Sequence, residues 1–208
     1  MYIKTPTIKA ENIFKKPFNH IEIPSAIQTE DLHDYYVNNS KWRVETTPQY
    51  EGRVKWSDIG ESLHEKHFKN FFEKSWLEKV FDALELELPK EYFFRTSMAW
   101  HSKGVSLQGH TDGPGMDAFE NFSKKLGRAT QGCVVQSIYV LNTDKYPDAG
   151  MCFHENKSEG DYYDEPAKQI KCLPGSYVAY QNTTSSWHSV PEQQHDFPRI
   201  LANLKTFW

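Results

Sequence analysis

The order of hydrophobic and polar residues divides this chain near Pro89. Between residues 58 and 86 the large apolar residues recur every three or four positions and charged residues fill the rest, which predicts an amphipathic helix that packs one face on a sheet. A shorter helix is expected over residues 25–38. Ser25 matches an N-cap residue there, with Gln28 three positions on to complete a capping box.

After Pro89 the pattern changes to short apolar runs separated by turns. Strands are predicted at residues 92–100, 133–142, 150–155, 170–173, 176–180, from His188 onward, and at 199–208, and a short helix is predicted at 116–126. Many short strands at regular spacing, with glycine and proline turns between them, are typical of a barrel or jelly roll. We therefore expect one mainly β domain with flanking helices, in which residues 1–88 support a β core at 89–208.

Composition narrows the class of protein. Of the 208 residues, 38% are hydrophobic and 14% aromatic, which is enough for a packed core. The net charge of −4 and the lack of a long basic run predict no nucleic-acid footprint. No signal-peptide core or membrane-length apolar run is evident, and three cysteines without CxxC spacing read as reduced, so a cytoplasmic protein without membrane contact is expected. The oligomeric state is left open.

One stretch carries metal-binding chemistry. In residues 108–115 a histidine and an aspartate, His110 and Asp112, stand two positions apart among three glycines and a proline. In an extended strand such residues point to the same face, so both can bind one metal ion where the strand ends. His188 is the candidate third ligand. Two histidines and one carboxylate with the other positions open suit non-haem Fe(II) and leave room for a co-substrate and dioxygen.

A cation follows the third candidate ligand. Arg199 lies eleven residues after His188, at the start of the last predicted strand. A barrel that holds Fe(II) and a dicarboxylate co-substrate needs a cation about one small molecule's length from the metal, and arginine can bind a carboxylate through two parallel hydrogen bonds. The alternative is an ordinary strand-end arginine in a surface ion pair.

The order of these motifs resembles the Fe(II)/2-oxoglutarate-dependent dioxygenases, and within them the prolyl-hydroxylase-like branch. The matching segments cover roughly residues 91–208 and are His110-x-Asp112, Tyr139-Val140-Leu141-Asn142, Ala149-Gly150-Met151-Cys152-Phe153, Leu173-Pro174-Gly175-Ser176, Trp187-His188-Ser189-Val190 and Arg199. The resemblance implies a double-stranded β-helix, a cupin-like jelly roll with N-terminal helices packed on its major sheet. It implies that His110, Asp112 and His188 hold the iron and that Arg199 holds the distal carboxylate of 2-oxoglutarate.

Two departures from the family pattern affect co-substrate binding. The family often has a tyrosine shortly before the first histidine, where this chain has Ser106, and its Tyr-Leu-Asn strand reads Val140-Leu141-Asn142 here. Gln136 is a candidate replacement if its face of the strand points inward, because a polar group there has no apolar reason to be present. Trp100 is a second candidate. For both residues the alternative is packing.

The resemblance implies an oxygenase that hydroxylates a C–H bond, with 2-oxoglutarate and dioxygen consumed and succinate and CO2 released. A peptide or protein substrate is expected, with proline as the first candidate residue, and a free amino acid or small metabolite is the alternative. From another class, a cupin-like metal-binding or isomerase domain would use the barrel without 2-oxoglutarate. Arg199 distinguishes the two classes, because such a domain needs no cation at that position.

Overall fold

Two antiparallel sheets face each other in the computed structural model, which describes residues 3–39, 42–45, 50–51, 54–57, 67–113, 120, 123–124, 129–155 and 165–208. The larger sheet has eight strands in the order β1-β2-β11-β8-β13-β6-β5-β3, and the smaller has five in the order β10-β9-β12-β7-β4. The strands are β1 (Ile13–Phe14), β2 (His20–Ile23), β3 (Arg43–Glu45), β4 (Tyr50–Glu51), β5 (Val54–Ser57), β6 (Phe93–His101), β7 (Ser106–His110), β8 (Cys133–Val140), β9 (Cys152–Phe153), β10 (Lys168–Gln169), β11 (Tyr177–Asn182), β12 (His188–Val190) and β13 (Arg199–Phe207).

The eight strands from β6 to β13 form the double-stranded β-helix. The chain passes from the large sheet (β6) to the small (β7), back to the large (β8), through β9 and β10 in the small sheet, and then alternates over β11, β12 and β13. Each of the two sheets thus contributes four strands to the jelly roll. The predicted fold class is confirmed.

The large sheet is covered on both faces, which gives the protein two cores. On one face of β8, Val134, Ile138 and Val140 pack under the helices. On the other, Val135 and Tyr139 pack in the space between the two sheets. All eight residues of β8 are buried as a result, and apart from Gln136 and Ser137 its sequence is apolar on both sides.

The N-terminal region supplies two α-helices, α1 (Glu30–Asn39) and α2 (Lys74–Ala83), which pack on the outer face of the large sheet. It also supplies β1 to β5, which extend both sheets. The boundary at residue 88 stays a prediction. Within the described part of the chain, none of the helices is long and apolar enough to cross a membrane.

The prediction that the first helix starts at Ser25 is wrong. Ser25 has a φ of 47° and its backbone N–H donates to the Ser176 hydroxyl, so it forms a turn against the barrel. The helix starts at Glu30, with Leu32 and His33 donating to the Thr29 carbonyl. The Thr29 hydroxyl donates to the Leu141 carbonyl at 3.2 Å, which docks this end of the helix on the sheet.

The single helix predicted over residues 58–86 is also wrong in extent. Residues 58–66 lie outside the described residues, as does most of the helix predicted at 116–126. A 3-10 turn spans Lys69–Phe72, Glu73 is extended, and α2 follows. The interruption leaves the Phe71 carbonyl to accept a hydrogen bond from the Gln136 side chain in the sheet, a tertiary contact that helical periodicity does not reveal.

The turn before β11 holds the N-terminal segment against the barrel, and we expect Gly175→Ala to lower the free energy of unfolding by roughly 3–4 kcal/mol. Gly175 has a φ of +67°, and a Cβ there would lie 1.6 Å from the Ile27 carbonyl oxygen. Gly104→Ala is the matched control. Gly104 has a φ of +78° but open space around it, so only the backbone strain of about 1–2 kcal/mol is expected. Urea unfolding measures both, and equal losses would contradict the proposed crowding at Ile27.

Candidate metal and co-substrate site

His110, Asp112 and His188 meet at the end of β7. The His110 and His188 rings have centroids 4.3 Å apart, and Nε2 of His110 lies 3.7 Å from Oδ1 of Asp112. One ligand atom from each of the three residues lies within 4.8 Å of the other two. Among the described residues this is the one cluster of three such side chains with the spacing of a metal site. The structure therefore brings together the three residues that the sequence predicted as metal ligands.

Both histidines present the same ring nitrogen to the site. Nδ1 of His110 donates to the Gln108 carbonyl at 2.8 Å, and Nδ1 of His188 donates to the Ser186 carbonyl at 3.0 Å. A carbonyl can only accept, so Nδ1 carries the proton in each ring and Nε2 keeps its lone pair. The Tyr180 hydroxyl lies 3.4 Å from Nε2 of His188. Both rings are thus fixed in the tautomer that a metal ion requires.

A bulge in β7 sets the direction of His110. His188 in β12 pairs with His110, and Val190, two residues on, pairs with Leu107, three residues back. His110 and Leu107 are three positions apart, so in a regular strand their side chains would point to opposite faces. The extra residue in β7 places both on the inward side. After Asp112, Gly113 packs so closely on Thr183 that a Cβ would lie 2.4 Å from its carbonyl carbon. The strand end is therefore held in place from both sides.

Burial and charge keep Asp112 and His188 in the protonation states that bind a metal. Burial, helped by the neighbouring His110, lowers the pKa of His188 to about 3. Burial alone would raise the pKa of Asp112, but the Lys205 ammonium, His110 and His188 outweigh it and hold that pKa far below its ordinary value. Near neutral pH the site therefore offers a carboxylate and a neutral imidazole of His188.

Arg199 lies at the start of β13, on the inward face that it shares with Leu201, and is 1% exposed. Its Nη2 lies 3.0 Å and its Nε 3.3 Å from Nδ1 of His101, and its guanidinium also donates to the carbonyls of Ala149 and Pro191. Burial lowers its pKa, and Tyr139, Cys172 and Cys152 oppose that shift. No carboxylate among the described residues pairs with it, so the surface ion pair is excluded within that part of the chain.

His101 and Tyr139 add hydrogen-bonding capacity beside Arg199. Because Nδ1 of His101 accepts from the guanidinium, its proton must be on Nε2, which is buried and has no partner in the described part of the chain. Burial, followed by the charge of Arg199, lowers the pKa of His101 well below its ordinary value, which keeps it neutral. The Tyr139 hydroxyl accepts from the Met151 N–H at 2.8 Å.

Gln136 does not face this site, and its prediction as a co-substrate ligand is corrected. It lies on the outer face of β8, where its Oε1 accepts from Trp76 Nε1 at 2.7 Å and from the Tyr177 hydroxyl at 2.9 Å. Its amide donates to the Phe71 carbonyl at 3.2 Å. The polar group has a structural reason to be there, because it joins the helices to the sheet.

Trp100 also points away from the barrel interior. It pairs with Ile200, which belongs to the core under the helices, and its ring lies edge-on to Trp42 at 5.2 Å. The next residue, His101, faces inward because it pairs with Arg199. The strand was predicted correctly, but the inward-facing residue is His101 and not Trp100. Neighbouring residues in a strand point to opposite faces, so an error of one position exchanges the two faces.

Sequence reasoning missed Lys205. It lies on β13 six residues after Arg199, on the same inward face, and its Nζ is 3.2 Å from Oδ2 of Asp112. Burial would lower its pKa, but Asp112 and Cys133 raise it above its ordinary value. The signal was a buried-strand lysine that lies an even number of residues from Arg199, which places both side chains on the same face.

No protein-family model matches this sequence, and no curated protein matches it. Solved structures do. HygX from Streptomyces hygroscopicus, with nickel, 2-oxoglutarate and hygromycin B bound, is 9% identical over 90% of this chain and 82% of its own, with a TM-score of 0.59. The viral collagen prolyl hydroxylase vCPH from Paramecium bursaria Chlorella virus-1, in complex with 2-oxoglutarate, is 13% identical over 90% of this chain and 95% of its own, with a TM-score of 0.55.

A third similar structure is that of an enzyme named for a different reaction. The non-haem 2-oxoglutarate-dependent carbocyclase SnoK from nogalamycin biosynthesis is 12% identical over 98% of this chain and 87% of its own, with a TM-score of 0.56. At such identities the likeness shows the fold alone. The chain therefore has the fold that these three proteins share, and it is the fold that the sequence resemblance implied.

The corrected position of Gln136 has a testable consequence. Gln136→Leu leaves the buried donors of Trp76 and Tyr177 without an acceptor, so we expect a loss of roughly 2–4 kcal/mol in the free energy of unfolding. Ser137→Ala is the control on the opposite face, where one hydrogen bond of 2.8 Å to Asn203 is lost, and about 1 kcal/mol is expected. Chemical denaturation measures both. A Gln136→Leu protein that is as stable as the wild type would show that this network is unimportant.

Proposed function

We propose that this protein is a non-haem Fe(II)- and 2-oxoglutarate-dependent oxygenase that hydroxylates a C–H bond. One observation carries the proposal: the barrel interior combines a two-histidine, one-carboxylate cluster with a buried guanidinium that has no described carboxylate partner. A metal site alone would fit many proteins. A buried cation on the same inner surface calls for an anionic ligand, because an unpaired buried charge is costly.

The donor set fits Fe(II). Two imidazole nitrogens with free lone pairs and one carboxylate oxygen lie on one side of the site. Such a set suits non-haem iron, and thiols, which would favour zinc or an iron–sulfur cluster, are absent from the cluster. The three cysteines lie elsewhere, and burial raises their pKa values to about 12, 11 and 12 for Cys133, Cys152 and Cys172.

The chain's own residues prepare the site for a dicarboxylate. Arg199 supplies the charge and a planar array of donors, and His101 supplies an Nε2–H that has no described acceptor. Apolar side chains line much of the interior and exclude water from it, namely Leu107, Val135, Leu141, Met151, Phe153 and Val190. When bound, Fe(II) with 2-oxoglutarate and dioxygen supplies the oxidative step, in which 2-oxoglutarate is converted to succinate and CO2 as the substrate is hydroxylated.

The substrate is proposed at a coarser level. The likeness to vCPH supports a peptide or protein substrate, with proline as the first residue to test, and the structural match covers 95% of the vCPH chain. A small metabolite is the alternative, supported by HygX, which was solved with hygromycin B bound. The fold hosts both kinds of chemistry, so fold alone does not select between them.

A cupin-like metal-binding or isomerase domain is the candidate from another class. It would retain the metal ligands but have no use for a buried guanidinium. Arg199 costs stability where it lies, because its charge is desolvated and no described carboxylate compensates for it. Its retention favours the oxygenase.

The first test of the proposed function concerns Arg199 and the distal carboxylate. Under anaerobic conditions the Fe(II)-loaded protein should give a visible metal-to-ligand charge-transfer band with 2-oxoglutarate. It should bind 2-oxopentanoate, in which a methyl group replaces the distal carboxylate, at least tenfold more weakly. Arg199→Met should lose that preference and bind the two keto acids about equally.

The ligand pair is its own control, because both acids chelate iron through the same keto acid end. A preference that persists in Arg199→Met would remove Arg199 from the co-substrate site. Metal binding by the wild-type protein without any band would support the cupin-like alternative.

The second test concerns turnover. Succinate release is measured with Fe(II), 2-oxoglutarate and either a peptide pool or a metabolite pool, and the pool that supports turnover identifies the substrate class. Asp112→Ala should lower the rate of succinate release at least a hundredfold, because one of the three proposed metal ligands is lost. Glu22→Ala, a buried carboxylate in the β2 ion pair with Lys168, is the matched control and should keep activity. Turnover in Asp112→Ala at the wild-type rate would exclude Asp112 as a ligand.

A further inference from the structure

Lys205 contacts one of the two oxygens of the Asp112 carboxylate, which is a proposed metal ligand. Its Nζ lies 3.2 Å from Oδ2 of Asp112, whereas Oδ1 of the same carboxylate lies 3.7 Å from Nε2 of His110. The Lys205 and Asp112 side chains are 22% and 28% exposed, so the pair is shielded from most of the solvent. One oxygen is thus turned to the Lys205 ammonium and the other to the His110 imidazole.

Packing does not explain a lysine at this position. Lys205 pairs with Val135 in β8 and with Arg95 in β6, and its nearest neighbours on the inward face of β13 are Asn203 and Phe207. None of these supplies an anion, and the charge of Arg95 opposes that of Lys205. An aliphatic side chain would fill the same space without desolvating a charge. We therefore explain the ammonium by its contact with Asp112 rather than by a contribution to stability.

The effect on Asp112 follows from coordination chemistry. A carboxylate can bind a metal ion through one oxygen or through both. If Oδ2 also bound the metal, it would occupy a position that the co-substrate or dioxygen needs. We propose that Lys205 is a positioning residue that holds Oδ2, so that Asp112 gives the metal Oδ1 alone and the remaining positions stay open for 2-oxoglutarate. The inference rests on the proposed function.

The charge of Lys205 should affect metal binding and co-substrate binding in opposite directions. An ammonium near the site repels a divalent cation and attracts the dianion of 2-oxoglutarate. Its removal should therefore favour metal binding and disfavour co-substrate binding. A lysine that merely supported the fold would, when replaced, weaken both.

The experiment compares Lys205→Met with the wild type in two titrations, using Mn(II) as the metal and then 2-oxoglutarate added to the Mn(II)-loaded protein. We expect the dissociation constant for Mn(II) to be equal to or lower than in the wild type, and that for 2-oxoglutarate to rise by about tenfold or more. Lys168→Met is the matched control. It removes another partly buried lysine from a carboxylate, Glu22 at 2.7 Å, and should change neither constant.

Two further variants keep the test decisive. Lys205→Gln removes the charge but keeps a polar group, and it should shift the two constants in the same directions if Lys205→Met fails to fold. Lys205→Arg keeps the cation and should bind 2-oxoglutarate within about threefold of the wild type.

The outcomes separate this inference from the proposed function. The role of Lys205 would be overturned if the neutral variants bound Mn(II) and 2-oxoglutarate more weakly by the same factor, or if neither dissociation constant changed. It would also be overturned if Lys205→Arg bound 2-oxoglutarate as weakly as Lys205→Met. If the wild-type protein itself binds Mn(II) without binding 2-oxoglutarate, the proposed function fails first.

Discussion

The inward face of β13 brings two cations, Arg199 and Lys205, into the space between the two sheets, and burial there makes each of them require an anion. Lys205 has one in Asp112. Arg199 has none among the described residues and is held by His101 and two backbone carbonyls. Hydrogen bonds to neutral groups orient a guanidinium but do not neutralise it, and the proposed dicarboxylate co-substrate would supply the missing anion. Because the two residues are six positions apart, their Cα atoms are separated by about 20 Å, and the long side chains reach the interior from opposite ends of the strand.

The rest of the barrel sets where these charges stand. The pairing of β13 with β6 puts His101 opposite Arg199, and the pairing of β12 with β7 puts His188 opposite His110. The small sheet thus supplies His110 and His188, with Asp112 just beyond its strand, and the large sheet supplies both cations. The site exists only where the two sheets face each other, and neither sheet contains it alone.

The layer of helices serves the site indirectly. It covers the outer face of the large sheet, and Gln136 links it to that sheet through Trp76, Tyr177 and the Phe71 carbonyl. A buried amide whose hydrogen bonds are all made inside one network fixes the position of the helices more specifically than apolar contacts do. The orientation of β8, and with it the inward direction of Tyr139, depends on that layer being in place.

Local signals in the sequence determined much of this protein. The strands that became β6, β8 and β13 follow from their apolar runs, and the jelly roll follows from strand spacing. These features depend on neighbours in the chain, so the chain alone specifies them. The candidate ligand set follows from His110-x-Asp112 and from the order of motifs that leads to His188. Tertiary structure decided which face of each strand points inward. All of β8 is buried, so alternation could not show that Gln136 belongs to the outer face and Tyr139 to the inner. Likewise, the contact of Lys205 with Asp112 joins residues 93 positions apart, and only the packing of the two sheets creates it.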